Sequence, residues 1–168
     1  MSFIRPHFFS GAGTFGAQNV CMKRIIVSTG FLLFLSFTIL AQKSAVFNPA
    51  EGAIHGYDPV AYFKDSRSTK GDKKYSFTWN TATWYFASEK NLDAFKADPG
   101  KYAPQYGGYC AYGTAAGHKA PTDPEAWSIV DGKLYLNYNK NVQVLWKQKQ
   151  AENIRAADKN WPAIRDKE

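Results

Sequence analysis

Tyr75-Ser76-Phe77-Thr78-Trp79-Asn80-Thr81-Ala82-Thr83-Trp84-Tyr85-Phe86 alternates large apolar and small polar side chains on either side of a short break. A two-residue period puts alternate side chains on one face of a strand, so Tyr75, Phe77 and Trp79 share a face. Trp84 and Phe86 continue that face on a returning strand. A two-residue loop at Asn80-Thr81 or at Thr81-Ala82 brings Phe77, Trp79, Trp84 and Phe86 together in either register. The stretch is an aromatic hairpin with one face turned to a core.

Downstream, Ser88 caps a short amphipathic helix. Glu89 sits at its positive end, Leu92 and Phe95 form its apolar stripe, and Asp98-Pro99-Gly100 stops it. Upstream, Asp58 caps a short helix that opens on Pro59, where the missing amide hydrogen costs nothing. A second hairpin is predicted around Asp131-Gly132, a strong signal for a tight type I′ turn. It pairs Ile129 with Leu134 and Trp127 with Leu136, one apolar face for the same core. From Asn139 the period turns helical: Val142, Leu145, Trp146, Ile154, Ala157 and Trp161 fall on one side before Pro162. These elements give an α+β fold, a single domain over 46–162 with two aromatic-rich hairpins, short helices and a long C-terminal helix packed across them. No internal repeat, low-complexity tract or linker is legible.

The first forty residues do not read as part of that domain. Residues 1–21 lack any acidic residue and any clear period, and read as upstream leader. From Met22, the apparent true initiator, Lys23 and Arg24 precede an apolar run from Ile25 to Leu40, with small Ala41 after it, the build of a secretory signal peptide over 22–41. The run is shorter than the roughly 20 apolar residues that span a bilayer, which favours cleavage over anchoring. The mature chain is expected to be periplasmic or secreted, with no stable membrane insertion. Of the 21 basic residues only Arg5, Lys23 and Arg24 leave with the leader, and no acidic residue does, so the net charge of +7 falls to +4. That charge is spread in mixed-sign segments, which argues against a nucleic-acid surface.

Cys21 also precedes the mature start, so Cys110 remains alone and no internal disulfide can form. It lies in Tyr106-Gly107-Gly108-Tyr109-Cys110-Ala111-Tyr112-Gly113, where the glycines allow a sharp turn or a close approach to the backbone. His55 and His118 flank it in sequence without a recognised metal-ligand spacing. A lone thiol in an oxidising compartment is either buried and inert or kept for a purpose.

Asp58-Pro59-Val60, Trp84-Tyr85-Phe86-Ala87-Ser88, Phe95, Asp98-Pro99 and Tyr102 together resemble the YHS domain, a small module associated with metal handling, with matching spacing over 57–102. The Tyr106–Gly113 stretch and Asp123-Pro124-Glu125-Ala126-Trp127 are similar to an exported branch of that family. The resemblance implies the fold and a metal-handling role. Metal-handling members carry cysteines just after the Asp-Pro-Val and in the segment after the Tyr-Phe, and this chain has Ala61, Ala87 and Asn91 there.

Three functions stand open. In one, an exported binding module holds a soft metal ion, with Cys110, His55 and His118 as candidate ligands and copper favoured because thiolate and imidazole suit Cu(I). In another, Cys110 is a thiol redox centre attacking a peroxide or disulfide. In the third, the module is structural or binds a partner protein, and the thiol is silent. The chain has no hydrolase triad, phosphate-binding glycine loop or paired catalytic carboxylates, so the sequence leans away from a hydrolytic enzyme.

Overall fold

The computed structural model describes residues 44–167; the leader, the signal peptide and the charge they carry lie outside it. Helix α1 (Pro59–Lys64) follows a left-handed turn at Ala53–Gly56. Strands β1 (Asp72–Trp79) and β2 (Ala82–Phe86) form the first hairpin, and α2 (Glu89–Ala97) packs on it. The short α3 (Pro99–Tyr102) leads into a second left-handed turn, Gln105–Gly108. Then come α4 (Ala111–Ala115), β3 (Asp123–Val130), β4 (Lys133–Asn137), α5 (Lys140–Gln148) and α6 (Gln150–Ile164).

The first hairpin turns at Asn80-Thr81, with Trp79 opposite Ala82 and Phe77 opposite Trp84. Its apolar face closes on one ring: Phe95 of α2 lies 5.3 Å from Trp84, 5.1 Å from Phe86, 5.8 Å from Trp79 and 6.5 Å from Phe77. Trp84, Phe86 and Phe95 are fully buried. Ser88 accepts from the Asn91 amide, as the sequence requires of the α2 cap.

The second hairpin has the expected register, with Ile129 opposite Leu134 and Trp127 opposite Leu136, and its turn residues Asp131 and Gly132 both have positive φ. Its packing differs from expectation. Leu134, Tyr135, Leu136 and Asn137 are all buried, so β4 faces apolar surroundings on both sides, while Ile129 is 37% exposed. Leu134 and Leu136 join the first core, and Tyr135 joins a second with Tyr106, Ala111, Trp146 and Ala157. A strand that separates two cores loses the alternation that a single core would impose.

The C-terminal helix is also corrected. Lys149, at φ −130 and ψ 42, divides it into α5 and α6, and Leu145 is exposed. Pro162 falls inside α6, which runs on to Ile164. Helix α6 packs on α4 instead of across the hairpins: Asn160 donates to the carbonyls of Thr114 and Ala115, closing the C-terminal end of α4.

The fold also contains a duplication that the sequence does not display. Turn, capped helix, bulged hairpin and capped helix occur twice in the same order. In both copies the strands have eight and five residues and the following helix has nine. Asp72 pairs with Phe86 before a bulge, and Asp123 pairs with Asn137 before a bulge. Phe95 lies on Trp84 at 5.3 Å and 33°, and Trp146 lies on Tyr135 at 5.4 Å and 36°. The duplication escapes a sequence reading because the two copies share element order and strand register while most equivalent positions change identity, volume and burial.

Candidate functional site

Asp58 is the polar centre of the first unit. It is fully buried, and Oδ1 accepts from the amides of Val60 at 2.8 Å and Ala61 at 3.3 Å, capping α1. Oδ2 accepts from the Ala87 amide at 2.9 Å and from Asn91 Nδ2 at 2.7 Å, tying α1 to the end of the hairpin and the start of α2. Ala61, Ala87 and Asn91 are the three positions at which the YHS resemblance implies cysteine in metal-handling members. The fold brings them to one point, and here each supplies a hydrogen-bond donor to a carboxylate.

Cys110 holds the corresponding place in the second unit. Its amide donates to the Ala120 carbonyl at 3.0 Å, as the Asp58 amide donates to the Thr69 carbonyl at 2.8 Å. Sγ accepts from the Gly113 amide at 3.4 Å, capping α4, and from the Tyr138 amide at 3.3 Å, the counterpart of Ala87. The thiol also points toward Asn137 Oδ1, 3.8 Å away. Cys110 is 2% exposed. The glycines before it are explained by packing: at Gly107 (φ +62) a Cβ would stand 1.9 Å from the Ala45 carbonyl oxygen, and at Gly108 (φ +84) 2.6 Å from Ile54 Cγ2.

The histidines go to different places. His118 is exposed, with Nε2 3.3 Å from where a Gly113 Cβ would stand. His55 is half-buried, edge-on to Phe47 with ring centroids 5.2 Å apart, and its Nδ1 is 3.6 Å from a Glu51 carboxylate oxygen. Among the described residues no group of three or more His, Cys, Asp and Glu side chains is gathered for a metal ion. A sulfur engaged by two backbone amides, an exposed imidazole and a second imidazole held by Glu51 do not fit one metal ion.

A cleft lies beside the cysteine loop, and sequence reasoning missed it. Segment 44–47 is strapped between the two left-handed turns: the Phe47 amide donates to the Gly107 carbonyl at 2.8 Å, and its carbonyl accepts from Ile54 at 3.0 Å. Tyr109 Oη donates to the Ser44 carbonyl at 2.8 Å. The Phe47 and Tyr109 rings sit 5.5 Å apart, and Lys119 Nζ lies 5.3 Å from the Tyr109 ring centroid. Burial pushes the Tyr109 phenol up from its ordinary pKa. With Val46, Pro49 and Pro121 these residues line a cleft of about 270 Å³. The pairing of Phe47 with Tyr109, far apart in sequence, left no local signal.

Among the described residues no helix is long and apolar enough to cross a membrane. No curated protein and no solved structure matches the chain significantly. The family model of the YHS domain matches residues 60–106, from α1 through the first hairpin and α2 to the turn that opens the second unit. Residues 60–106 therefore match the YHS domain, and the match covers most of the unit whose polar centre is Asp58.

Proposed function

We propose that this protein is an exported, non-catalytic YHS-type binding module that takes a small apolar ligand in the cleft beside Tyr109. The observation that carries this reading is the pairing of the Phe47 and Tyr109 rings, 5.5 Å apart, in the lining of that cleft, whose Lys119 donates to the Ser44 and Lys167 carbonyls. Two rings supply apolar contact at small entropic cost. Asp58 and Cys110 are then structural caps that hold the cleft walls in place. The apolar segment ending at Leu40 supports export, with the mature chain beginning near Gln42.

The probe is anilinonaphthalene sulfonate, an aromatic ring system bearing one anion. The folded protein should bind it saturably at one site, and Phe47→Ala or Tyr109→Ala should weaken it about tenfold, the loss of one ring contact. Binding that these substitutions leave unchanged overturns the cleft as the site. A Cu(I) titration of the parent and Cys110→Ser separates the copper reading: stoichiometric binding that depends on Cys110 would replace the present proposal. Mass spectrometry of periplasmic or secreted material tests export, and an intact leader in the membrane fraction contradicts it.

A further inference from the structure

The side chain of Asn137 is fully buried, and its Nδ2 has no hydrogen-bond partner among the described residues. An orphaned buried donor is costly, and a native fold rarely keeps one without a reason. The other arm of the same amide is fixed: Oδ1 accepts from the Tyr112 amide at 3.4 Å and faces Cys110 Sγ at 3.8 Å. The unpaired donor thus belongs to a side chain that lies directly against the sulfur. In the first unit the equivalent cage is complete, because a carboxylate offers two oxygens to three backbone amides and to the Nδ2 of Asn91. In the second unit a single sulfur faces two backbone amides, and the side-chain amide beside it goes without an acceptor.

We propose that Cys110 is an oxidation site: a peroxide converts its thiol to the sulfinate, an anion with two oxygens that occupies the cage as the Asp58 carboxylate does, and the Asn137 amide, whose Oδ1 faces the thiol, turns to present Nδ2 to it. In the first step the sulfur attacks one peroxide oxygen. The S–O bond forms as the O–O bond breaks, and the departing hydroxide takes the thiol proton and leaves as water. Sulfur loses two electrons and the peroxide gains them. A second peroxide repeats the transfer on the sulfenic acid, giving sulfinic acid and water, and the acid releases its proton to solvent.

No other cysteine or methionine lies among the described residues, so no neighbouring thiol in that span can capture the sulfenic acid as a disulfide and halt the sequence. The sulfur is bonded to the amide of Tyr138, which is 54% exposed, and lies two residues from Tyr112, which is 38% exposed. An oxidant as small as hydrogen peroxide needs only a local opening beside these two surface residues to reach the sulfur.

The test treats the folded protein with hydrogen peroxide and maps the product by peptide mass spectrometry and thermal melting. Cys110 should gain two oxygens without unfolding, and the oxidised protein should melt above the reduced one. Cys110→Asp should fold and melt at or above the parent, while Cys110→Ser, which supplies one oxygen, should melt below Cys110→Asp. Asn137→Asp keeps the acceptor for Tyr112 but replaces the orphaned donor with a carboxylate, and should slow formation of the sulfinate at least about tenfold. Oxidation only after unfolding, a lower melting point on oxidation, a Cys110→Asp chain that does not fold, or undiminished oxidation in Asn137→Asp would each overturn the proposal.

Discussion

Asp58 and Cys110 occupy equivalent positions in the two halves of the molecule: each caps the helix that follows a left-handed turn, and each accepts from the backbone amide just beyond its own hairpin. The two differ in how much they hold together, because the carboxylate has four donors and the thiol two. Asp58→Ala should therefore cost more stability than Cys110→Ala. Leaving four donors unsatisfied in a buried site is expected to cost about 3–5 kcal/mol, against about 1–2 kcal/mol for the thiol. Equal denaturant midpoints for the two variants would contradict the difference.

The two cores are built on equivalent ring pairs, Phe95 on Trp84 and Trp146 on Tyr135. Trp84→Ala and Trp146→Ala should each lose about 3–5 kcal/mol, enough to leave the chain largely unfolded at ordinary temperature. Near-ultraviolet circular dichroism and thermal melts on both variants check this. A parent-like melt for either one would mean its half does not contribute a core of its own.

Thr81 occupies a left-handed position, φ 63, at the tip of the first hairpin, where the second hairpin has Gly132. A β-branched residue there is strained. Thr81→Gly should stabilise by about 0.5–1 kcal/mol, strain relief exceeding the extra entropy of glycine in the unfolded chain. The reverse change, Gly132→Thr, should destabilise by a similar amount, and both are read from melting temperatures.

Gly107→Ala tests the strap that forms the cleft. Its Cβ would collide with the Ala45 carbonyl oxygen, and its φ of +62 disfavours alanine as well. The variant should lose binding of the sulfonate probe entirely and expose segment 44–47 to proteolysis, while the hairpins, probed by amide exchange, stay protected. Probe binding at parental strength would show that the strap does not shape the cleft.

Alkaline pH should weaken the fold through Tyr62 and Tyr106. Burial, and then the neighbouring Glu125 carboxylate, push the Tyr62 phenol well above its ordinary value. Burial and the Asp158 carboxylate that accepts from Tyr106 do the same there. Each phenol holds its proton longer in the folded chain than in the unfolded one. Their contribution is thus full below about pH 10 and falls as pH rises beyond it, where the unfolded state ionises first. Tyr106→Phe should lower stability at neutral pH, by loss of the bond to Asp158, and flatten the decline above pH 10. A denaturation series across that range gives the answer.

The sequence by itself determined the local elements, because their causes are local. Alternation in Tyr75–Phe86 made a hairpin whose core face was right before its turn was known, Asp131-Gly132 set the register of the second, and Asp58 and Ser88 marked helix starts by their ability to accept backbone amides. The YHS resemblance was carried by the same short motifs. Tertiary structure alone decided how the elements share cores and what the polar centres do. Tyr135 and Leu136 are neighbours in sequence yet belong to different cores, because β4 lies between them, and the duplication of the fold is preserved in element order and strand register while Phe95 becomes Trp146 and Asp58 becomes Cys110. The same holds for the site. Glycines beside Cys110 signalled a sharp turn in the backbone, but only packing of the chain on itself decided that they admit segment 44–47 instead of exposing a thiol. Whether His55, His118 and Cys110 meet depends on distances between elements far apart in the chain, which residue spacing does not encode.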